Sequence, residues 1–198
     1  MGIPAVRIPA NTNEAVGPAP ARWISGWSFE PGDPLITSAT ITLPDGTVVG
    51  TWVAGDTPLT LPSNSAIRIS SSLRVVLQRR DAADYEQPYR ARASVLRLVA
   101  LPEAPARRVW VERVTCGSPW TGRPAQLIAI RPMIEDGGAS RIWLERGGAP
   151  KTVLGWFRDF DPRFPRTYWL ARPADLSVEA RLQSDSRCQL QLTLTSHP

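Results

Sequence analysis

Period-two alternation of apolar and polar residues dominates the chain beyond residue 34, and turn-forming residues recur at intervals of roughly 8–12 positions. Such alternation predicts β-strands with one buried face, and regularly spaced turns are typical of antiparallel all-β folds. Residues 81–87 are the best candidate for helix, and they suffice for a single turn only. We therefore predict an all-β protein, an antiparallel β-sandwich or jelly roll of roughly eleven strands.

Two parts of this pattern predict β-hairpins. Residues 38–43 and 47–53 flank a Pro-Asp-Gly sequence, which suits a tight turn between paired strands. Residues 176–183 and 188–195 flank a Ser-Asp-Ser sequence, and both segments carry apolar residues at every second position. We expect each pair of segments to form neighbouring antiparallel strands.

Residues 1–34 lack any stable period, because prolines and glycines interrupt both helix and sheet patterns. This segment is predicted to be an extended, proline-rich N-terminal arm. Residues 35–198 then form the β-sandwich domain, and a proline-rich stretch near 101–107 leaves a subdivision open. Whether the arm packs on its own domain or on a neighbouring chain is also left open.

The overall composition is that of a globular protein, with 42% hydrophobic and 21% charged residues. No window approaches the roughly 20 apolar residues that a membrane-spanning helix needs, and no basic segment followed by an apolar one opens the chain. We expect synthesis in the cytoplasm without a signal peptide and no membrane partner. The net charge is +5, but the arginines are interleaved with 18 acidic residues, so we do not predict nucleic-acid binding.

The residues that usually carry catalysis are scarce. The chain has one histidine, His197, next to its last position, and one lysine, Lys151. Cys116 and Cys188 lie in strand-like segments and are expected to be free and packed in a reducing compartment, with a disulfide as the alternative. No spacing of histidines and cysteines matches a metal site or a nucleophile with its base. We therefore predict no enzymatic activity, no cofactor and no metal.

Aromatic residues and arginines crowd into residues 156–166, which hold three of the four phenylalanines. The structural interpretation is a long loop whose prolines set its path. The interaction interpretation is a protein interface, because Trp, Phe and Arg carry much of the binding energy at protein contacts. A carbohydrate or metal site is the third alternative, since two aspartates lie in the same segment. Together with the apolar anchors of the arm, the predicted interface residues are Trp23, Trp27, Phe29, Trp156, Phe157, Arg158, Phe160, Arg163, Phe164 and Arg166.

These observations favour a non-enzymatic structural or assembly subunit that contacts other protein subunits, including copies of itself, through the arm and the aromatic-arginine loop. An all-β module with an ordered extended arm is common among virion proteins, so a capsid-decorating, head-completion or tail protein of a phage is the predicted setting; this step rests on analogy at the level of the fold. The alternative is a carbohydrate-binding β-sandwich in which exposed Trp and Tyr rings stack on sugars. Exposure of the tryptophans separates the two hypotheses.

Overall fold

A computed structural model describes residues 5–18, 22–69, 72–84, 89–135, 138–161 and 165–197. These residues form 16 β-strands and one short 3-10 helix, Ala82–Asp84. The predicted all-β sandwich class is confirmed, and, among the described strand pairs with a defined register, one is parallel and the others are antiparallel. The described residues contain more strands than the predicted eleven because several strands are only two to five residues long, too short for alternation to show. The chain divides into two compact units between Val109 and Trp110, just beyond the proline-rich stretch 101–107.

The first unit contains nine strands and the beginning of a tenth. The nine strands are β1 (Ala5–Ile8), β2 (Glu14–Pro18), β3 (Trp23–Glu30), β4 (Ile36–Thr42), β5 (Val48–Val53), β6 (Leu59–Thr60), β7 (Ser65–Arg68), β8 (Ser72–Arg79) and β9 (Ser94–Leu101). The tenth strand, β10, spans Arg107–Thr115, and its first residues belong to this unit. One sheet has the order β1-β9-β3-β7-β10, with β6 also paired to β3, and β7 runs parallel to the first residues of β10. The other sheet has the order β2-β8-β4-β5.

Side chains from both sheets fill the core of the first unit. In β8, Leu73, Val75 and Leu77 are buried while the residues between them are more exposed, as alternation requires. The ring of Phe29 in β3 contacts the ring of Trp52 in β5, with centroids 4.9 Å apart. The two sheets therefore face each other as a sandwich.

The predicted hairpin between residues 38–43 and 47–53 is confirmed as β4 and β5. The amide of Thr47 donates a hydrogen bond to Asp45 Oδ1 over 2.9 Å. Thr47 O accepts a hydrogen bond from Leu43 N over 2.8 Å, and Gly46 N donates to Leu43 O over 3.0 Å. Gly46 has φ +85°, a conformation that glycine adopts without steric cost. The turn residues were therefore sufficient to place this pairing.

The N-terminal segment 1–34 contributes three strands, β1 to β3, in its described part. β3 lies inside the sheet, between β9 and β7. Prolines do not prevent this arrangement because Pro9 follows β1 and Pro18 is the last residue of β2, positions where a missing amide donor costs little. The segment lacks sequence periodicity because its strands are short or, in β3, interrupted by an irregular register between Ile24 and Gly26.

The second unit contains the remainder of β10 and six further strands. They are β11 (Ala125–Ile134), β12 (Gly138–Glu145), β13 (Thr152–Phe160), β14 (Tyr168–Leu176), β15 (Arg181–Ser184) and β16 (Cys188–Thr195). One sheet has the order β10-β16-β11-β14 and the other β13-β12-β15. Their facing apolar side chains form one core, in which Ile130, Ile142, Leu144, Leu182 and Leu192 are completely or almost completely buried.

The predicted hairpin between residues 176–183 and 188–195 is wrong. Leu176 is the last residue of β14, and the second strand of the segment, β15, pairs with β12 in the three-stranded sheet. β16 pairs with β11 in the opposite sheet. Leu182 of β15 and the leucines of β16 reach the same core from opposite sheets. The alternation therefore shows which side chains are buried, but it does not show which strands are hydrogen-bonded.

A disulfide joins Cys116 and Cys188, with their Cα atoms 5.4 Å apart. The expectation of two free thiols is therefore wrong, and the alternative of a disulfide is confirmed. Cys116 directly follows β10 and Cys188 opens the neighbouring strand β16, so Cys116 N also donates a hydrogen bond to Cys188 O over 2.9 Å. Pairing in the sheet, which the sequence does not show, brings together two residues that are 72 positions apart.

Candidate interaction surface

The predicted interface residues of the N-terminal segment lie in the core of the first unit. Trp23, Trp27 and Phe29 are all buried. The Trp27 ring also packs against the backbone of Gly50, leaving no room for a side chain at that position. Side chains that their own unit buries offer no free surface to a partner, so we treat these three as core residues.

The predicted aromatic-arginine loop begins inside a strand, because residues 156–160 belong to β13. Phe157 and Phe160 point into the core of the second unit, whereas Trp156 and Arg158 are exposed on the other side of the strand. Alternation along β13 places Phe157 opposite Trp156 and Arg158, and Phe160 reaches the same core because the register with β12 is irregular between Phe157 and Phe160. Arg166 is exposed in the segment before β14, and Arg163 and Phe164 lie outside the described residues.

Exposed aromatic rings gather at one side of the second unit. β13 and β14 are the outermost strands of their sheets, and the rings of Phe157 and Tyr168 meet edge to face with centroids 4.7 Å apart. Trp156 is 59% exposed, Trp169 43% and Tyr168 39%. The guanidinium of Arg158 lies 4.0 Å from the centroid of the Trp156 ring. We name Trp156, Arg158, Tyr168 and Trp169 the aromatic edge.

The outer face of the three-stranded sheet carries a second group of polar and aromatic side chains. Core-facing Ile142 and Leu144 alternate with outward residues of β12, and a shallow pocket of about 250 Å³ opens on the outward side. Its lining residues are Arg141, Trp143, Lys151, Val153 and Asp185. We name this depression the outer pocket.

Ion pairs and hydrogen bonds hold the polar groups of the outer pocket in place. Arg141 Nε lies 2.9 Å from Asp185 Oδ2, and Lys151 Nζ lies 3.0 Å from Glu145 Oε1. Trp143 Nε1 donates to that same oxygen of Glu145 over 2.9 Å, while Lys151 Nζ lies 5.1 Å from the centroid of the Trp143 ring. Each cation thus has its own carboxylate at the pocket.

These contacts lower the pKa values of the two carboxyl groups. The hydrogen bond from Trp143 is the main cause of the lowered pKa of Glu145, and the hydrogen bond from Lys151 adds to it. The hydrogen bond from Arg141 lowers the pKa of Asp185, and Asp185 in turn raises the pKa of Arg141. Both carboxylates are therefore ionised acceptors at neutral pH.

Of the predicted interface residues, Trp156, Arg158 and Arg166 are exposed, whereas the sequence analysis did not single out Tyr168, Trp169 or the outer pocket. Tyr168 and Trp169 are adjacent aromatic residues on a strand, which places one ring on each face, and that signal was available. The outer pocket gives no local signal because its residues come from β12, from β13 and the turn before it, and from the turn after β15.

Among the described residues, no group of three or more His, Cys, Asp or Glu side chains is placed to hold a metal ion. The imidazole of His197 is exposed and its Nδ1 lies 3.8 Å from Asp175 Oδ1. No helix in the described part of the chain is long and apolar enough to cross a membrane.

Comparison with solved structures shows a likeness in fold. The chain is similar to the major capsid protein P2 of bacteriophage PM2, with 11% sequence identity, a TM-score of 0.50 and coverage of 97% of both chains. At this identity the likeness concerns the fold. No protein-family model matches the chain, and no curated protein matches it.

Proposed function

We propose that this protein is a non-enzymatic structural subunit of a virus particle that assembles with other protein subunits, including copies of itself. The observation that carries the proposal is the likeness to a phage major capsid protein over 97% of both chains. A likeness of that extent covers both all-β units rather than one common sandwich. Because folds host many functions, the aromatic edge provides the second argument.

The aromatic edge has the composition of a protein contact surface. Trp, Tyr and Arg are the residue types most enriched among the interface positions that lose about 2 kcal/mol or more on truncation to alanine. Trp156 and Arg158 are stacked before any partner binds, so less side-chain freedom is lost on association. The ring of Tyr168 meets Phe157 where the edge strands β13 and β14 come together, and Trp156 and Trp169 lie next to this contact on the opposite faces of their strands. The exposed rings therefore follow the edge at which the two sheets meet.

The backbone at this edge favours side-chain contacts over addition of a further strand. In β14, the pairing register with β11 shifts between the partners of Leu127 and Ala129, and Pro173 lies within the displaced stretch. Irregular register and proline are devices that protect an edge strand against pairing with another chain. We therefore expect neighbouring subunits to pack on the rings of Trp156, Tyr168 and Trp169.

Among virion roles, the proposal favours a subunit of the capsid shell over the decorating, head-completion and tail roles that the sequence also suggested. The similar protein is named as a major capsid protein, and the likeness spans nearly its whole length. Location in the virion follows from this role and belongs to the same proposal.

Replacement of Trp156 by alanine tests the contact surface. Trp156 is highly exposed, so the variant is expected to fold, while loss of a central aromatic contact weakens association about 30-fold or more. Sedimentation of the purified chain over a range of concentrations, together with electron microscopy of particles formed on co-expression with the remaining virion proteins, measures assembly. Val178→Ala is the matched control, because Val178 is 72% exposed in the same unit but lies outside the aromatic edge.

The proposal predicts that the Val178→Ala variant assembles like the wild type and that the Trp156→Ala variant does not. A Trp156→Ala/Trp169→Ala variant that keeps the wild-type melting temperature and still enters particles at the wild-type level would contradict the assigned surface. Absence of the wild-type chain from every purified particle would contradict the virion role.

A further inference from the structure

The positively and negatively charged side chains at the outer pocket are equal in number. Arg141 and Lys151 provide two cations, and Asp185 and Glu145 provide the two carboxylates that pair with them. An anionic ligand would need an excess of positive charge at its site, because each buried phosphate or carboxylate must be neutralised. The charge balance instead suits a neutral ligand that both donates and accepts hydrogen bonds.

The pocket also has an apolar wall. Trp143 is partly buried, and its ring is held by the hydrogen bond to Glu145 and by Lys151 above it. Val153 pairs with Trp143 across β12 and β13 and is 65% exposed. A ligand seated here would meet an apolar surface on one side and the charged pairs on the other.

The size of the pocket limits the ligand. Its volume of about 250 Å³ lies below the roughly 300–1,000 Å³ of pockets that enclose drug-sized molecules. A flat ligand of one or two rings fits this volume. The polar groups are fixed by their mutual contacts, so little ordering is required when a ligand binds.

We propose that the outer pocket binds a neutral sugar, with one pyranose ring against Trp143 and Val153 and its hydroxyl groups bonded to Arg141, Asp185 and Lys151. A sugar ring combines an apolar C–H face with hydroxyls that donate and accept, which matches both walls of the pocket. The inference does not depend on a virion role, because the pocket and the aromatic edge consist of different residues.

Calorimetric titration of the full-length chain with neutral hexasaccharides of glucose, galactose, mannose and N-acetylglucosamine tests the inference, with sialyllactose and a heparin hexasaccharide as anionic probes. At least one neutral hexasaccharide is expected to bind, and Trp143→Ala is expected to weaken its binding about tenfold or more. Trp169→Ala is the matched control: it removes an exposed tryptophan of the same unit on β14, in the sheet opposite the pocket, and should change the affinity less than about twofold.

Asp185→Asn provides a second variant that keeps the shape of the side chain and leaves Trp143 in place, in case Trp143→Ala does not fold. It is expected to weaken neutral-sugar binding and to leave the charge of the pocket more positive. Failure of all four neutral hexasaccharides to bind at millimolar concentration would overturn the inference, as would equal affinity of the wild type and both pocket variants. Tighter binding of an anionic probe than of every neutral one would also overturn it.

Discussion

The disulfide between Cys116 and Cys188 closes a loop that contains β11 to β15, so its removal should strongly affect the stability of the second unit. For a separation of 72 positions, the loss of unfolded-chain entropy corresponds to about 4 kcal/mol at 25 °C. Replacing the buried Cys188 with alanine adds about 1 kcal/mol for lost packing. The Cys116→Ala/Cys188→Ala variant is therefore expected to lose about 4–5 kcal/mol in free energy of unfolding.

Urea unfolding followed by tryptophan fluorescence measures this loss. The backbone hydrogen bond between Cys116 N and Cys188 O does not depend on the sulfur atoms, so the native fold should persist and the main change should lie in the unfolded chain. The slope of free energy against urea concentration should rise, because an unfolded chain without the cross-link exposes more surface. Reducing agent should lower the free energy of unfolding of the wild type toward that of the variant, and it should leave the value of the variant unchanged. A loss below about 1 kcal/mol would refute the reasoning.

Two further predictions concern packing and ionisation. Gly50→Ala is expected to lower the free energy of unfolding by about 1–3 kcal/mol, because a Cβ at Gly50 would lie 2.7 Å from a carbon of the Trp27 ring; thermal melting checks this, and an unchanged melting temperature would show that the ring moves aside freely. Lowered pKa values mean that Glu145 and Asp185 stay ionised as the pH falls through their ordinary values of 4.5 and 3.8. Their ion pairs are thus lost only at lower pH. The NMR signal of the Trp143 indole N–H should therefore change with a midpoint below 4.5, and a midpoint at or above 4.5 would contradict its hydrogen bond to Glu145.

The aromatic edge and the outer pocket lie on the same unit but share no residue, so their roles can be tested separately. Loss of assembly in Trp169→Ala with normal sugar binding would support both proposals at once, because Trp169 lies in the sheet opposite the pocket. Loss of sugar binding in Trp143→Ala with normal assembly would give the complementary result. The two tryptophans are therefore the most informative pair of positions in the chain.

Part of the fold could be predicted because it depends on neighbouring residues. Alternation identified the all-β class, since a strand with one buried face requires period two whatever its partners are. The Pro-Asp-Gly turn placed the β4–β5 hairpin because a short loop leaves the flanking strands few other ways to pair. In β13, the same alternation explains why Phe157 is buried and Trp156 is exposed.

Other features were decided by the tertiary structure, because they join residues that are distant in sequence. Leu182 of β15 and the alternating leucines of β16 fit one core equally well from one sheet or from two, and only the fold places these strands in opposite sheets. The disulfide needs the pairing that brings the end of β10 beside the start of β16. The sequence by itself thus determined which residues alternate and where a tight turn forms, whereas packing between the sheets decided strand partners and the surface on which Trp143 and Trp156 lie.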